Sequence, residues 1–181
     1  MKVLLHVCCG PCASACVPRL ECEGADVTMF YANSNIDTAE EFEKRRVDSE
    51  KLARIDGVEF VCVKYDHEEW LREVASGLEG EMEKGARCAK CFRYNLAKAA
   101  AYADANGFDA FTTSLSVSPH KQSAELFAAG HAVETGGAKF LERDFKKRDG
   151  FKLSVARAKE LERYRQNYCG CEFSKAADGN G

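Results

Sequence analysis

The chain has 181 residues, ten of them cysteine, with 45% hydrophobic and 30% charged residues and a formal net charge of -3. This length suffices for one domain with a sizeable core, and the small negative charge excludes a uniformly basic nucleic-acid binder. The charge is uneven, however: residues 37–83 carry fifteen acidic against seven basic side chains, and residues 139–166 carry ten basic against five acidic. Such an asymmetry can turn one basic face toward a polyanion.

The first stretch, Lys2-Val3-Leu4-Leu5-His6-Val7, is an apolar run of strand length that stops at Cys8-Cys9-Gly10-Pro11-Cys12. A buried run followed by a helix begins a parallel α/β sheet, and ligands of such sheets bind beyond the carboxyl ends of the strands. Cys8 and Cys9 fall at that edge. No charged leader or apolar signal core precedes the strand, and no apolar run is long enough to cross a bilayer. A cytoplasmic protein with no membrane partner is therefore expected, in which thiols stay reduced and clustered cysteines serve metal or redox chemistry.

A helix from Cys12 to Glu23 should follow, but Pro18 lies inside it and deletes a backbone hydrogen bond. Either the helix kinks there or its regular part begins near Val17. Val27–Tyr31, Val58–Val63 and Phe108–Thr113 read as three more strands. Asp37 to Ile55 carries a helical stripe of Phe42, Val47, Leu52 and Ile55, capped by Thr38. Lys90–Asn106 is an alanine-rich helix with Leu96, Ala99, Ala100 and Ala103 on neighbouring faces, stopped by Gly107. Residues 77–87 are glycine-rich and charged, and read as a loop. Strands and helices alternate without hairpin signals, which predicts one α/β domain over residues 1–174. Its sheet should be mainly parallel and Rossmann-like, with helices on both faces and a cysteine-rich site at the carboxyl edge of the strands. Residues 175–181 lack any apolar period and read as a frayed tail.

Cys88-Ala89-Lys90-Cys91 is a C-x-x-C at a helix start, where the helix dipole favours thiolate. With Cys8 and Cys9 it offers four ligands from two turns. Structural zinc, an iron-sulfur cubane and a thioredoxin-like dithiol all remain open from spacing alone. The adjacent pair suits a closed zinc cage poorly, whereas a cubane has ligand points further apart. Cys169-Gly170-Cys171 can close only a tight, easily reduced disulfide ring, ligate metal or stay as free thiols. Cys16, Cys22 and Cys62 read as small buried side chains, Cys12 is open, and His6 reads as a hydrogen-bonded core residue. His67 and His131 read as surface or helix-end residues. His120 and the hydroxyls of Thr112, Thr113, Ser114 and Ser116 follow the fourth strand and could hold an anionic or sugar group.

Five segments, Leu-His-Val-Cys-Cys-Gly-Pro-Cys (5–12), Arg-Cys-Ala-Lys-Cys-Phe (87–92), Thr-Thr-Ser-Leu-Ser-Val-Ser-Pro-His-Lys (112–121), Asp-Phe-Lys-Lys-Arg-Asp-Gly-Phe (144–151) and Tyr-Arg-Gln-Asn-Tyr-Cys-Gly-Cys (164–171), together resemble the QueH family of epoxyqueuosine reductases. Asn33-Ser34-Asn35-Ile36 is similar to that family's second-strand loop, and the resemblance runs over roughly residues 2–174 in consistent order. It implies a fold like that of adenine-nucleotide α-hydrolases, a 4Fe-4S cluster, and the last step of queuosine synthesis at the wobble base of certain tRNAs. The cluster ligands carry over to Cys8, Cys9, Cys88 and Cys91, and the redox-active disulfide to Cys169 and Cys171. Pro18, Asn95 in place of a basic residue and His120 in place of a tyrosine depart from the pattern, none of them at a ligand.

Reducing an epoxide to an alkene takes two electrons and two protons, and a cluster passes one electron at a time. A second store is therefore expected, from Cys12 with an additional mononuclear metal ion or from the Cys169 and Cys171 pair, together with an external electron donor. Asp144, Tyr164 and His120 are the expected proton donors to the departing oxygen. The tRNA should meet Lys121, Lys146, Lys147, Arg148, Arg165 and Gln166, with Phe145, Phe151 and Tyr164 interleaved for stacking. A zinc-stabilised tRNA-binding protein without redox activity is the competing reading. A nucleotide-dependent thiolating enzyme is disfavoured, since Cys-Cys-Gly-Pro-Cys replaces its Ser-Gly-Gly phosphate loop.

Overall fold

A computed structural model describes residues 1–175. Its centre is β1 (Lys2–His6), buried from Val3 onward. Val3 and Leu5, with Val7, enter one apolar cluster, while Leu4 enters another on the opposite face. Alternate residues thus bury both faces, which is why the run is apolar without interruption. The other strands are β2 (Asp26–Tyr31), β3 (Glu59–Cys62), β4 (Ala110–Thr113) and β5 (Lys139–Phe140). They pair in the order β3-β2-β1-β4-β5, every pair parallel. The order reverses between β1 and β4, and such a reversal opens a crevice at the strands' carboxyl ends.

One face is covered by α1 (Gly10–Cys22) and α2 (Ala39–Asp56). The short α3 (His67–Trp70) continues into a π turn at Leu71–Ala75. The opposite face is covered by α4 (Ala86–Ala105) and α5 (Ser123–Ala132), and α6 (Gly150–Glu160) packs on α1. The architecture is the expected single-domain α/β fold. Among the described residues no helix is long and apolar enough to cross a membrane.

Pro18 neither starts nor ends α1, which is regular from Gly10 onward. The carbonyl that Pro18 cannot serve is that of Ser14, four residues earlier. Arg157 of α6 donates its Nη1 to that oxygen at 2.5 Å and pairs through Nη2 with Asp56 at the end of α2. A distant guanidinium thus replaces the missing amide, which corrects the expected start near Val17.

Thr38 caps α2 as expected, its hydroxyl accepting from the Glu41 amide at 3.1 Å. The stripe is rotated, however. Phe42 and Leu52 are buried, but Ile55 is 52% exposed, and Arg45, Asp48 and Ser49 occupy the inner face. Of these, Arg45 and Asp48 face the C-terminal segment, bonding the Cys169 carbonyl and the Tyr164 amide. α4 starts four residues before the expected Lys90, so both cysteines of the C-x-x-C lie inside the helix. Its Leu96, Ala99, Ala100 and Ala103 are buried as expected, and Gly107 follows with φ 69°. Of the tail expected to fray, Lys175 pairs with Asp37 and the rest lies outside the described residues.

Arg157→Ala should lower stability to urea by about 2 to 3 kcal/mol, because it strands the Ser14 carbonyl and a buried carboxylate. In a Pro18→Ala background, where an amide returns beneath that carbonyl, the same substitution should cost about 1 kcal/mol less. An equal loss in both backgrounds would show that Arg157 does not serve the carbonyl.

Candidate active site

Three chain segments bring sulfur to the carboxyl edge of the sheet. The first is the turn after β1, where Cys9 is the N-cap of α1. Gly10 lets this turn press on α2, since a Cβ there would lie 2.2 Å from Asp48 Oδ2. The sulfurs of Cys8, Cys9 and Cys12 all lie within 4.8 Å of one another, a spacing at which they can hold one metal ion. Ser114, just past β4, accepts the Cys8 amide at 3.2 Å and donates to the Cys8 sulfur at 3.5 Å. The second segment is the first turns of α4. Cys88 Sγ accepts the Lys84 amide at 3.3 Å, and Asn95 Nδ2 lies 3.7 Å from Cys91 Sγ while donating to Asn35 Oδ1 at 3.0 Å. The third is Cys169-Gly170-Cys171, whose cysteines are free thiols.

Lys121 links the segments. Its Nζ donates to Cys169 Sγ at 3.2 Å and lies 5.2 Å from the centre of the Phe92 ring. Burial opposes its charge, but the sulfurs of Cys169, Cys8 and Cys91 outweigh that cost and hold its pKa above the ordinary lysine value. Within the first turn the thiols share charge unequally. Hydrogen bonds from Cys12, then from Cys8 and Gln166, hold Cys9 well below the usual thiol range. The same contacts with Cys8 and Cys9, with burial, push Cys12 up. Cys12 favours the Cys8 thiolate, but Cys9 and burial win and raise Cys8 to about 11. Burial, then the Cys169 sulfur, raises Cys91. One thiolate at a helix amino end is the arrangement that charge repulsion among close sulfurs allows.

A cavity of about 490 Å³ opens over these groups. Cys8, Cys9, Cys12, Lys121, Gln166 and Cys169 line it, as do Arg165 and His120. Cys88, Cys91 and Cys171 stand behind that lining, in the apolar packing beside it. Asp144 and Tyr164 turn elsewhere. The Asp144 carboxylate accepts the Lys146 amide at 3.1 Å, and the Tyr164 hydroxyl donates to Glu41 at 2.9 Å. Lys146 Nζ is spent on the Lys121 carbonyl at 2.9 Å and Ser123 Oγ at 2.7 Å, so it braces the Lys121 loop. Lys147 and Arg148 are exposed.

Several sequence expectations need correction. Phe145 is a core residue, 1% exposed, and does not offer a stacking face. Cys22 and Cys62 are exposed, whereas Cys16 is buried. The hydroxyls at the end of β4 and just beyond it are committed internally: Thr112 to the Leu141 carbonyl, Thr113 to His6 Nδ1, Ser116 to the Arg143 carbonyl. They leave no free anion cradle. His6 is the buried core histidine expected, but His67 is more than a helix-end residue, bridging the Ser34 carbonyl and Glu172. The site also contains a residue the sequence hid. Arg45, inside a run of charges, is buried against the Cys169 carbonyl.

The fold is a parallel α/β sheet of the adenine-nucleotide α-hydrolase-like kind, with a cysteine-rich centre at its switch point. Solved structures share that fold at low identity. The U34-tRNA thiolase NcsA from Methanococcus maripaludis, described with its 4Fe-4S cluster, superposes with a TM-score of 0.61 at 12% identity, covering 97% of this chain and 62% of that one. A predicted tRNA methyltransferase subunit from Methanocaldococcus jannaschii superposes at 0.58 with 14% identity, covering 88% and 75%. The family model described as Epoxyqueuosine reductase QueH matches residues 3–177. A relative of that name from Streptococcus pyogenes serotype M1 is 38% identical over 185 residues, 98% of this chain and 72% of its own length. Another from Thermotoga maritima is 34% identical, over 95% of this chain and 89% of its own. The chain belongs to the epoxyqueuosine reductase QueH family.

Lys146→Met should cost about 1 to 2 kcal/mol in stability, since two hydrogen bonds that hold the Lys121 loop are lost. The double substitution Lys147→Glu, Arg148→Glu should leave thermal unfolding nearly unchanged, within about 0.5 kcal/mol per site. If Lys146→Met were as silent as the exposed pair, Lys146 would not be a brace.

Proposed function

We propose that this chain reduces epoxyqueuosine to queuosine at the wobble base of tRNA. The observation that carries the reading is the family match together with a cavity lined by sulfurs from separate segments around one buried ammonium. The stoichiometry is fixed by chemistry. Both carbon–oxygen bonds of the epoxide break, the carbon–carbon double bond forms, and the oxygen leaves as water after taking up two electrons and two protons.

The donor set fits an iron-sulfur group. All the candidate ligands are soft thiolates, the class that selects such clusters. Cys8, Cys9, Cys88 and Cys91 are the proposed ligands, and both pairs stand at helix amino ends. Among the described residues only Cys8, Cys9 and Cys12 are close enough to share one ion, so a four-cysteine set here favours a larger group than a single metal. When bound, the 4Fe-4S cluster would supply one-electron transfer. Cys12, beside the first pair, is the proposed donor to an additional mononuclear ion.

Cys169 and Cys171 supply a balanced two-electron store. Two thiols closing to a disulfide release two electrons and two protons, which is what the epoxide consumes, and an external donor then reopens the disulfide. The Lys121 ammonium holds the Cys169 sulfur in the cavity and offsets negative charge among the sulfurs. Of the expected proton donors, His120 lines the cavity whereas Asp144 and Tyr164 do not, so His120, with the neighbouring Lys121 ammonium, takes the proton-donor role. Arg165, 5.8 Å from the Phe151 ring centre, lines the cavity and suits a stacked, phosphate-linked base. Exposed Lys147 and Arg148 suit the backbone of the anticodon arm.

Anaerobically reconstituted protein should convert epoxyqueuosine in tRNA to queuosine, read by nucleoside analysis. Lys147→Glu with Arg148→Glu should weaken tRNA binding about tenfold while leaving metal content unchanged. Bound tRNA whose epoxyqueuosine stays intact would favour a zinc-stabilised tRNA-binding protein instead.

A further inference from the structure

Residues 168–175 cross the carboxyl edge of the sheet as an irregular strap that carries Cys169 and Cys171. A strap without a ladder of its own keeps its register only through what it rests on. Among its supports, one side chain of α2 holds two successive carbonyls of the strap. Arg45, 1% exposed, uses every arm of its guanidinium: Nε donates to Glu41 Oε1 at 2.6 Å, Nη1 to the Cys169 carbonyl at 2.9 Å and Nη2 to the Tyr168 carbonyl at 3.4 Å. The guanidinium also lies 4.9 Å from the centre of the Tyr168 ring.

We infer that Arg45 is a positioning residue for Cys169, a fork fixed on α2 that grips two successive strap carbonyls and thereby aims the Cys169 sulfur into the cavity. Two carbonyls held by one rigid planar group fix the peptide units on either side of the Cys169 Cα, and with them the direction of the Cys169 side chain. The sulfur is then met from the other side by Lys121 Nζ at 3.2 Å. Gly170 is shaped to the same fork. Its φ is +147°, and a Cβ there would lie 3.0 Å from Asn35 Nδ2, 3.2 Å from Ile36 Cγ1 and 3.4 Å from Arg45 Nη1. Only glycine adopts that φ without strain and lets the strap lie this close to Asn35 and Ile36, beside the fork. Flanking ties hold the strap without aiming the sulfur: the Asp37 amide donates to the Gly170 carbonyl at 2.9 Å, the Tyr168 hydroxyl to Asp37 Oδ1 at 2.8 Å, and Arg87 stacks 4.4 Å from the Phe173 ring centre.

The role requires a fork and not merely a charge. A lysine keeps the ion pair with Glu41 but, as a point donor, cannot hold two carbonyls in a plane. The inference rests on the reading of Cys169 as a working thiol, and Arg45→Lys separates the two. In the intact, anaerobically purified protein, Arg45→Lys should stay folded and lower the melting temperature by only about the few degrees that two lost hydrogen bonds cost. It should raise the rate at which iodoacetamide labels Cys169, located by peptide mass spectrometry, by about tenfold, as expected when a held segment opens. Turnover on epoxyqueuosine tRNA should show kcat falling about tenfold with KM for tRNA within about twofold, the mark of a misaimed group and not of lost binding. Gly170→Ala, which displaces the strap while leaving the Arg45–Glu41 pair intact, should raise Cys169 labelling in the same way. Parental labelling and parental kcat in Arg45→Lys would overturn the inference. Full activity in Cys169→Ser would instead sink the reading of Cys169 as a redox thiol, while the labelling result would stand.

Discussion

An ammonium withdrawn from water is tolerated only where negative charge or strong acceptors surround it. Lys121 meets that condition chiefly at Cys169, to whose sulfur its Nζ donates at 3.2 Å, and any of the sulfurs of Cys169, Cys8 and Cys91 that ionises favours its charge further. The rest of the site follows from this constraint. Each sulfur near Lys121 comes from a different part of the chain, so the ammonium is stable only when the turn after β1, the start of α4 and the C-terminal strap are all in place. Lys146 anchors the loop that carries it, and Phe92 closes the space beneath it.

The sheet explains why these parts can meet. With strand order β3-β2-β1-β4-β5, the carboxyl ends of β1 and β4 diverge, and a crevice opens between the turns that follow them. Two helix amino ends, those of α1 and α4, come to this region carrying cysteines, and their unpaired amides and dipoles favour thiolate. Fold and chemistry are thus joined by backbone geometry, and the soft donor set is a consequence of where two helices start. A phosphate-binding relative of this fold would use the same helix start with glycines; here sulfur occupies that position.

Much of this was legible in the sequence, for physical reasons that differ by element. β1 was visible because burial on both faces demands an unbroken apolar run, and the two cysteine pairs stood out as candidates by their spacing, the first at the start of α1 and the second in the first turns of α4. α5, α6 and β5 were not. α5 contains Gly130, required because a Cβ would lie 2.4 Å from the Phe140 ring. α6 reads as a basic run, and β5 is only two residues long. Pro18 misled because its remedy, Arg157, lies far along the chain. Arg45 sits in Glu43-Lys44-Arg45-Arg46, which reads as a solvated face until the strap is laid across it. Asp144 and Tyr164 lie next to site residues in sequence, yet the Lys146 amide and the Glu41 carboxylate engage their side chains away from the cavity. Which side chains neighbour the site along the chain was readable; which way they turn was set by tertiary contacts.

The central claim is that Cys8 and Cys9 act together with Cys88 and Cys91 on one cofactor. Its most direct test is the iron and sulfide content, with the visible spectrum, of anaerobically purified single Cys→Ser variants at those four positions, with Cys22→Ser and Cys62→Ser as exposed controls. The account requires each of the four to lose colour and iron while both controls keep them. Full iron in Cys88→Ser and Cys91→Ser, or a colourless parent protein holding one zinc ion, would contradict it.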